Sequence, residues 1–324
     1  MSIMEQTLIL QQIHKITGKE SIKLPSQITF SINKKTLSMY VNGNGVRDNM
    51  QTAGSAFEGW AICLRAILPK EIEKLELGWE KPKYSANKEE RNRQEKHYNR
   101  FVMRASLFEN VFDWVSIKPE NKEEVKKVDN VLPELFINYP KSDSKKEVTK
   151  SEKVNKGEAK LERQLVEKMS KTIAVSDHQL PVGLFRNEVK KENTFTPRGA
   201  SQIDIWQLNE GCLRIFELKD ADNDQVGIIS ELMFYANTMR LLVEGVIKYP
   251  DSLNCEKKYY RHIQELHEAI KNHTVKNIEA IFLNYTFHPL IDYCLNDVME
   301  IINSGMRKVN ISFKKMQVSD ILRK

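Results

Sequence analysis

Two carboxylates and a lysine come together if residues 201–219 fold as a β-hairpin. The stretch SQIDIWQLNEGCLRIFELK has two apolar runs on either side of the Asn-Glu-Gly triplet at 209–211, whose residue types suit a tight turn. With a two-residue loop, Asp204 faces Glu217 across the strands, at roughly 5 Å between Cβ atoms. Because side chains alternate along a strand, Lys219 lies on the same face as Glu217. The spacing therefore predicts a cluster of three ionisable groups.

Such a cluster favours metal-assisted hydrolysis of a phosphodiester. Both faces of the two strands are otherwise apolar, which is typical of strands inside a covered sheet. A buried carboxylate pair repels unless a cation neutralises it. Mg²⁺ prefers carboxylate and water oxygens, and Mn²⁺ is expected to substitute for it. Asp204 and Glu217 are the predicted ligands, and Lys219 either positions or activates the attacking water or stabilises the developing charge.

The elements around the hairpin indicate an α/β domain. Hydrophobic periodicity after residue 156 predicts the order α-β-β-β-α-(α)-β-α-β. The predicted helices are 157–173, 228–246, 259–271 and 290–302, and the predicted strands are 184–189, 201–208, 213–219, 278–285 and 309–313.

These elements and acids resemble the PD-(D/E)xK superfamily of restriction enzymes, repair nucleases and junction resolvases. The matching stretch is roughly 157–235, although Ile203 stands where the superfamily has proline. The resemblance implies a restriction-endonuclease-like core, a mixed central sheet flanked by helices. It also implies an acidic residue on the first helix that completes the metal site. Glu162 occupies that position, with Glu158 one turn earlier as the alternative. Glu162 is thus the third predicted ligand and fourth catalytic residue.

Three further residues are predicted to bind substrate. RecB-type relatives in the superfamily carry a Gln-xxx-Tyr element on the next helix, and this chain has Glu231 in place of the glutamine but keeps Tyr235. Arg198, in a Thr-Pro-Arg-Gly-Ala loop, could present its charge to a phosphate, or the loop is a plain surface turn. Arg186 is expected beside the site in the same sheet, lining a substrate groove or simply solvated.

The chain is expected to have two domains joined by a linker. Residues 141–156, KSDSKKEVTKSEKVNK, contain almost no apolar side chain and are read as a solvated tether. The nuclease domain is predicted at 157–324. Residues 1–140 are predicted to form a mainly helical recognition or assembly module, with helical patterns at 56–68 and 98–115 and strands within 28–41.

The composition indicates which kinds of partner and cellular location to expect but does not determine the function. The 324 residues carry a formal net charge of +6, a weak indication of a polyanionic partner. The four cysteines lack zinc-binding spacing. The first residues do not resemble a signal peptide, and no apolar run approaches the roughly 20 residues of a membrane span. A cytoplasmic protein with no membrane partner is predicted.

The leading hypothesis is a Mg²⁺-dependent endonuclease that acts on DNA in preference to RNA. By analogy with stand-alone members of the superfamily, its role would be restriction or phage defence. A homodimer, or a protein partner bound through residues 1–140, is left open. The alternatives are a nuclease fold that has lost turnover and only binds nucleic acid or assembles, and a structural protein in which Asp204 and Glu217 form ordinary salt bridges.

Overall fold

The protein is described by a computed structural model covering residues 3–139, 158–197, 201–219, 225–251, 253 and 262–323. The predicted linker, Arg198 and the side chain of Glu158 lie outside the described part.

The bounds of the strands and helices follow. The strands are β1 Met4–Glu5, β2 Ile28–Asn33, β3 Thr36–Val41, β4 Lys74–Trp79, β5 Val115–Ile117, β6 Leu135–Ile137, β7 Ser176–Pro181, β8 Leu184–Arg186, β9 Gln202–Asn209, β10 Cys212–Lys219, β11 Asn277–Asn284 and β12 Ile311–Gln317. The helices are α1 Gln6–Thr17, α2 Phe57–Ile67, α3 Lys88–Val111, α4 Lys122–Val131, α5 Glu158–Ser170, α6 Gly227–Val243, α7 Ile263–Lys271, α8 Pro289–Tyr293, α9 Leu295–Met306 and α10 Val318–Leu322.

The chain forms two compact units that are interleaved in sequence. The first unit comprises Met1–Val131, Asp224–Glu231 and Thr286–Val309, and the second comprises Leu132–Asn223, Leu232–Tyr285 and Asn310–Lys324. This division differs from the contiguous domains expected at 1–140 and 157–324. The first unit is not contiguous partly because α9, which comes late in the sequence, packs against α2. In addition, Gly305 of α9 lies so close to Phe112 that an added Cβ would meet its ring at 2.5 Å.

The first unit contains a sheet that the mainly helical prediction missed. Its strand order is β1-β2-β3-β4-β5, with antiparallel pairing of β1, β2 and β3 and parallel pairing of β3, β4 and β5. Strands are present within 28–41, as predicted, and they pair as a hairpin whose turn lies at Lys34 and Lys35, which both have positive φ. Every residue of α2 except Arg65 is buried, as expected for a helix packed on all sides.

The second unit is built on a mixed five-stranded sheet of order β12-β11-β10-β9-β7. Strand β9 pairs antiparallel with β10 and β7, whereas β10, β11 and β12 are mutually parallel. The predicted α/β class with a mixed sheet is therefore confirmed. Strand β7 was not predicted. The predicted strand at 184–189 is shorter and does not join this sheet, because β8 pairs with β6 in a separate two-stranded sheet.

One face of the five-stranded sheet packs against α5 and α10. A single buried apolar cluster joins these helices to alternate residues of the strands: Leu165, Met169, Ile205, Phe216, Leu218, Ile281, Leu283, Val318 and Ile321. Because successive strand residues project to opposite faces, Glu217 and Lys219 project away from this cluster.

No helix in the described ranges combines the length and the apolar character that crossing a bilayer requires.

Candidate active site

The turn between β9 and β10 sets the register of the site. Glu210 and Gly211 both have positive φ, at 48° and 76°, as a two-residue hairpin loop of the mirror-image type requires. A Cβ on Gly211 would lie 2.7 Å from the carbonyl oxygen of Thr274, so glycine is needed for space as well as for conformation. The backbone pairing runs from Cys212 opposite Asn209 to Phe216 opposite Ile205, the register predicted from the sequence.

Asp204 lies at the point where this pairing ends. Continuing the register by one residue places Asp204 opposite Glu217. The Leu218 backbone amide donates a hydrogen bond to Oδ2 of Asp204 at 2.7 Å. At this point the β10 backbone therefore bonds to the Asp204 side chain. This contact holds the half-buried Asp204 carboxylate against β10.

Lys219 and Glu217 form a buried ion pair. The Lys219 ammonium donates a hydrogen bond to Oε1 of Glu217, and the two residues are 8% and 1% exposed. Two acids and one base leave the cluster of Asp204, Glu217 and Lys219 with a formal charge of −1. Ion pairs so far from water require close compensation of charge, because desolvation is costly. The structure therefore brings three of the four predicted catalytic residues together.

Asn284 is a polar residue of the site that sequence reasoning missed. It is buried at the end of β11, where it pairs with Lys219, just as Phe282 pairs with Glu217. Paired residues on adjacent strands project to the same face, so Asn284 lies on the face of the ion pair. The signal available in the sequence was an amide that directly follows the apolar run at 280–283 of the strand.

Glu162 is buried but approaches from the other side of the sheet. It lies on the inward stripe of α5 with Leu165 and Met169 and is 5% exposed, as predicted for a residue directed at the sheet. That stripe packs on the face opposite to Glu217. No three or more Asp, Glu, His or Cys side chains in the described ranges are grouped closely enough to hold a metal ion. The predicted trio of metal ligands is thus not assembled here, because alternation along β10 separates Glu162 from Glu217.

The predicted substrate-binding residues are not gathered around this cluster. Arg186 lies in the two-stranded sheet rather than the five-stranded one, is exposed, and pairs with Glu134. Its expected place in the central sheet was wrong, because 184–186 pair with a strand that precedes the linker. Tyr235 is fully buried in α6, with its ring 6.0 Å from that of Phe234. Its position favours a role in the core over contact with a substrate.

Glu231, which replaces the glutamine of the RecB-type element, has a partner within the first unit. The amide of Gln51 donates a hydrogen bond to Oε1 of Glu231, which is buried.

Comparison of this chain with protein families, with curated proteins and with solved structures finds no match. A functional assignment therefore depends on the chemistry of the cluster at the end of β9 and β10.

Proposed function

We propose that this protein is a metal-dependent nuclease that hydrolyses phosphodiester bonds in DNA. The observation that carries the proposal is the convergence of Asp204, Glu217 and Lys219 at one end of the β9–β10 hairpin. Two acids and a lysine at one end of a hairpin, with Glu217 and Lys219 buried, are costly to fold, and stability alone gives little reason to keep them. Closely packed ionisable groups of this kind, partly or fully buried, are typical of catalytic sites.

The order of the elements supports the same class. With β8 and α7 left aside, helix α5, strands β7, β9 and β10, helix α6 and strand β11 occur in the helix, three strands, helix, strand order of the resemblance to PD-(D/E)xK nucleases, and β7 takes the place of the strand predicted at 184–189. The three strands are antiparallel neighbours, and β11 joins parallel to β10. The restriction-endonuclease-like core is accordingly part of the proposal.

The donor set fits a divalent cation. Asp204 and Glu217 supply the carboxylate oxygens that Mg²⁺ and Mn²⁺ prefer, and the cluster retains a net negative charge after Lys219 is counted. Glu162, the third acid predicted from the sequence, lies on α5 across the sheet and is proposed as a ligand or as a residue that supports one. When bound, the cation polarises a phosphoryl oxygen and lowers the pKa of a coordinated water.

The protein's own residues contribute orientation and charge. The hydrogen bond from Leu218 to Asp204 fixes the direction of that carboxylate before substrate arrives. The Lys219 ammonium is held beside Glu217, where it stabilises negative charge on a phosphoryl group or orients the attacking water. Asn284, on the same face, adds a neutral hydrogen-bonding group that can position either one.

We further propose that the first unit recognises DNA or a protein partner and that the biological role is restriction or phage defence. The role rests on analogy with stand-alone nucleases that carry extra modules.

Plasmid cleavage tests the proposal. Supercoiled plasmid is incubated with the wild-type protein in EDTA, Mg²⁺, Mn²⁺ or Ca²⁺, with single-stranded RNA as a parallel substrate. Mg²⁺ and Mn²⁺ should support nicking, and Asp204→Asn, Glu217→Gln and Lys219→Ala should each lower the rate on the order of 100-fold or more. Glu210→Gln, on the turn of the same hairpin, is the matched control and should cleave normally.

The same assay separates the two acids of α5. Glu162→Gln should lower the rate on the order of 100-fold, as loss of a ligand or its supporting partner does, whereas Glu158→Gln should be nearly silent. Full activity of Asp204→Asn or Glu217→Gln would refute the site. Salt-dependent retention on DNA without cleavage under any ion would favour the binding protein instead.

A further inference from the structure

A cavity lies on the face of the sheet opposite the ion pair. It has a volume of about 570 Å³ and is bounded by the C-terminal end of α5, by α10 and by strands β9 to β12. Cavities of roughly 300–1,000 Å³ with apolar walls and a few polar groups are typical of small-molecule sites. The cavity lies wholly within the second unit.

The floor of the cavity is apolar. Phe216 and Ile281 come from adjacent positions of β10 and β11, and Met316 continues this surface on β12. Met169 and Ile321 close the sides. Phe216 and Ile281 are only 1% and 2% exposed, so Met316, at 36%, is the part of this surface from which a flat, uncharged ring system would displace water favourably.

The rim of the cavity carries an excess of positive charge. Its charged lining residues are Lys168, Lys171, Arg214, Lys314 and Glu279, a formal sum of +4 − 1 = +3. Glu279 binds Arg214 at 2.8 Å and Lys314 at 2.5 Å. Burial raises the pKa of Glu279, but its hydrogen bonds to Lys314 and Arg214 outweigh burial and lower it, so the acid stays ionised and holds both cations in place.

The other two cations of the rim, Lys168 and Lys171, contact a neutral group or solvent. Lys168 donates a hydrogen bond to the carbonyl oxygen of Leu322, which leaves its charge uncompensated by that partner, and Lys171 is exposed. The carbonyls of Lys168 and Met169 at the end of α5 accept hydrogen bonds from the following amides, which caps the negative end of the helix. Phosphate oxygens are the ligands that such a ring of cations binds best.

A buried amide lies within the cavity wall. Gln207 is 4% exposed and donates from Nε2 to the hydroxyl of Ser176 at 2.9 Å, which fixes the orientation of its carboxamide. Thr172 adds a hydroxyl. Polar groups at a fixed position beside an apolar floor suit a heterocyclic base, which has hydrogen-bonding edges, better than an alkyl chain, which has none.

We propose that this cavity binds a nucleoside phosphate, with the base against Met316, above the buried Phe216 and Ile281, and the phosphate among the cations of the rim. Arg214 and Phe216 alternate along β10 with Glu217, so the sheet separates the ligand from Asp204, Glu217 and Lys219, whereas Glu162 lies on α5, on the same side of the sheet as the cavity. The site is thus distinct from the cluster of Asp204, Glu217 and Lys219 and would hold a regulatory or accessory ligand.

Binding is tested with a fluorescent N-methylanthraniloyl ATP in EDTA, so that no divalent ion can bridge nucleotide to Glu217. The full-length protein should bind the probe with a micromolar Kd, and unlabelled ATP and AMP should displace it. Lys171→Glu should weaken binding at least tenfold through charge reversal. Met316→Trp, at a partly exposed position, should weaken it by filling the cavity. Lys160→Glu, an exposed lysine of α5 outside the cavity, is the control and should bind normally.

Several outcomes would overturn the assignment. The first is that the protein does not bind the probe at concentrations up to millimolar. The second is that Lys171→Glu and Met316→Trp both bind the probe as the wild type does. The third is that decanoate displaces the probe as effectively as AMP does. The last result would indicate a site for apolar carboxylates. Because all titrations are made in EDTA, failure here leaves the cleavage assay unaffected, and the reverse also holds.

Discussion

The strongest energetic prediction concerns the buried pair of Lys219 and Glu217. Lys219→Met keeps the length and volume of the side chain but leaves the Glu217 carboxylate in a site that is 1% exposed. Two unit charges at ~4 Å interact by about 4 kcal/mol at an effective dielectric constant near 20. Removal of one partner from a buried pair costs about 3–5 kcal/mol, because the remaining charge is neither hydrated nor compensated. We expect Lys219→Met to lose stability within that range.

The double mutant supplies the decisive comparison. Glu217→Gln alone leaves a buried ammonium beside a neutral amide and should cost about 1.5–3 kcal/mol. Glu217→Gln combined with Lys219→Met leaves no buried charge at either position, so its loss should be much smaller than the sum of the two single losses. Urea denaturation in EDTA, followed by circular dichroism, measures all four proteins. If the two single losses were additive, or if Lys219→Met lost less than about 1 kcal/mol, the pair would contribute no more than an ordinary surface salt bridge. That result would refute the predicted cost of leaving the Glu217 charge buried.

Magnesium extends the same experiment to the metal site without an activity readout. A ligand that binds only the folded protein stabilises it by about 2.7 kcal/mol at 100 times its Kd. Mg²⁺ should therefore raise the free energy of unfolding of the wild type and of Lys219→Met, but not of Glu217→Gln. Equal stabilisation of all three would show that Mg²⁺ binds elsewhere.

Three other perturbations test the fold. Glu58→Ala should cost about 3–5 kcal/mol in urea denaturation, because Glu58 and Arg104 form an almost fully buried ion pair, and a loss under about 1 kcal/mol would contradict this. Gly211→Ala should cost at least about 1 kcal/mol, owing to its positive φ and the crowding at its Cβ, and an unchanged melting temperature would show that the turn relaxes. Burial, with the nearby Arg100, lowers the pKa of His97 to about 4 from 6.5. The unfolded chain therefore takes up a proton first, so stability should fall as pH drops from 6.5 towards 4, and His97→Gln should flatten this part of the pH profile.

The part of the site that was predictable from sequence is the part governed by local geometry. A two-residue turn determines which residues face each other, and strand alternation determines which share a face. Asp204, Glu217 and Lys219 follow from these two rules. Glu162 shows their limit: helical periodicity predicts that it points inward, but not which face of the sheet α5 covers.

The missed strands depend on long-range pairing. Strand β7, SDHQLP, shows no alternation of apolar and polar residues and contains Gln179 with positive φ, so its strand conformation is decided by its pairing with β9. Likewise, β8 looked like a strand of the central sheet, and only the position of β6 shows that it belongs elsewhere.

The interleaving of the two units bears on how the protein is made. The first unit includes residues 286–309, so the α2 surface that packs against α9 stays uncovered during synthesis until residues 295–306 have left the ribosome. Domains generally fold in order from the N-terminus, but this one cannot finish before the second unit has been largely translated. A fragment that ends before residue 286 would expose apolar side chains of α2, and a chaperone that shields them would be expected to raise the yield of folded protein.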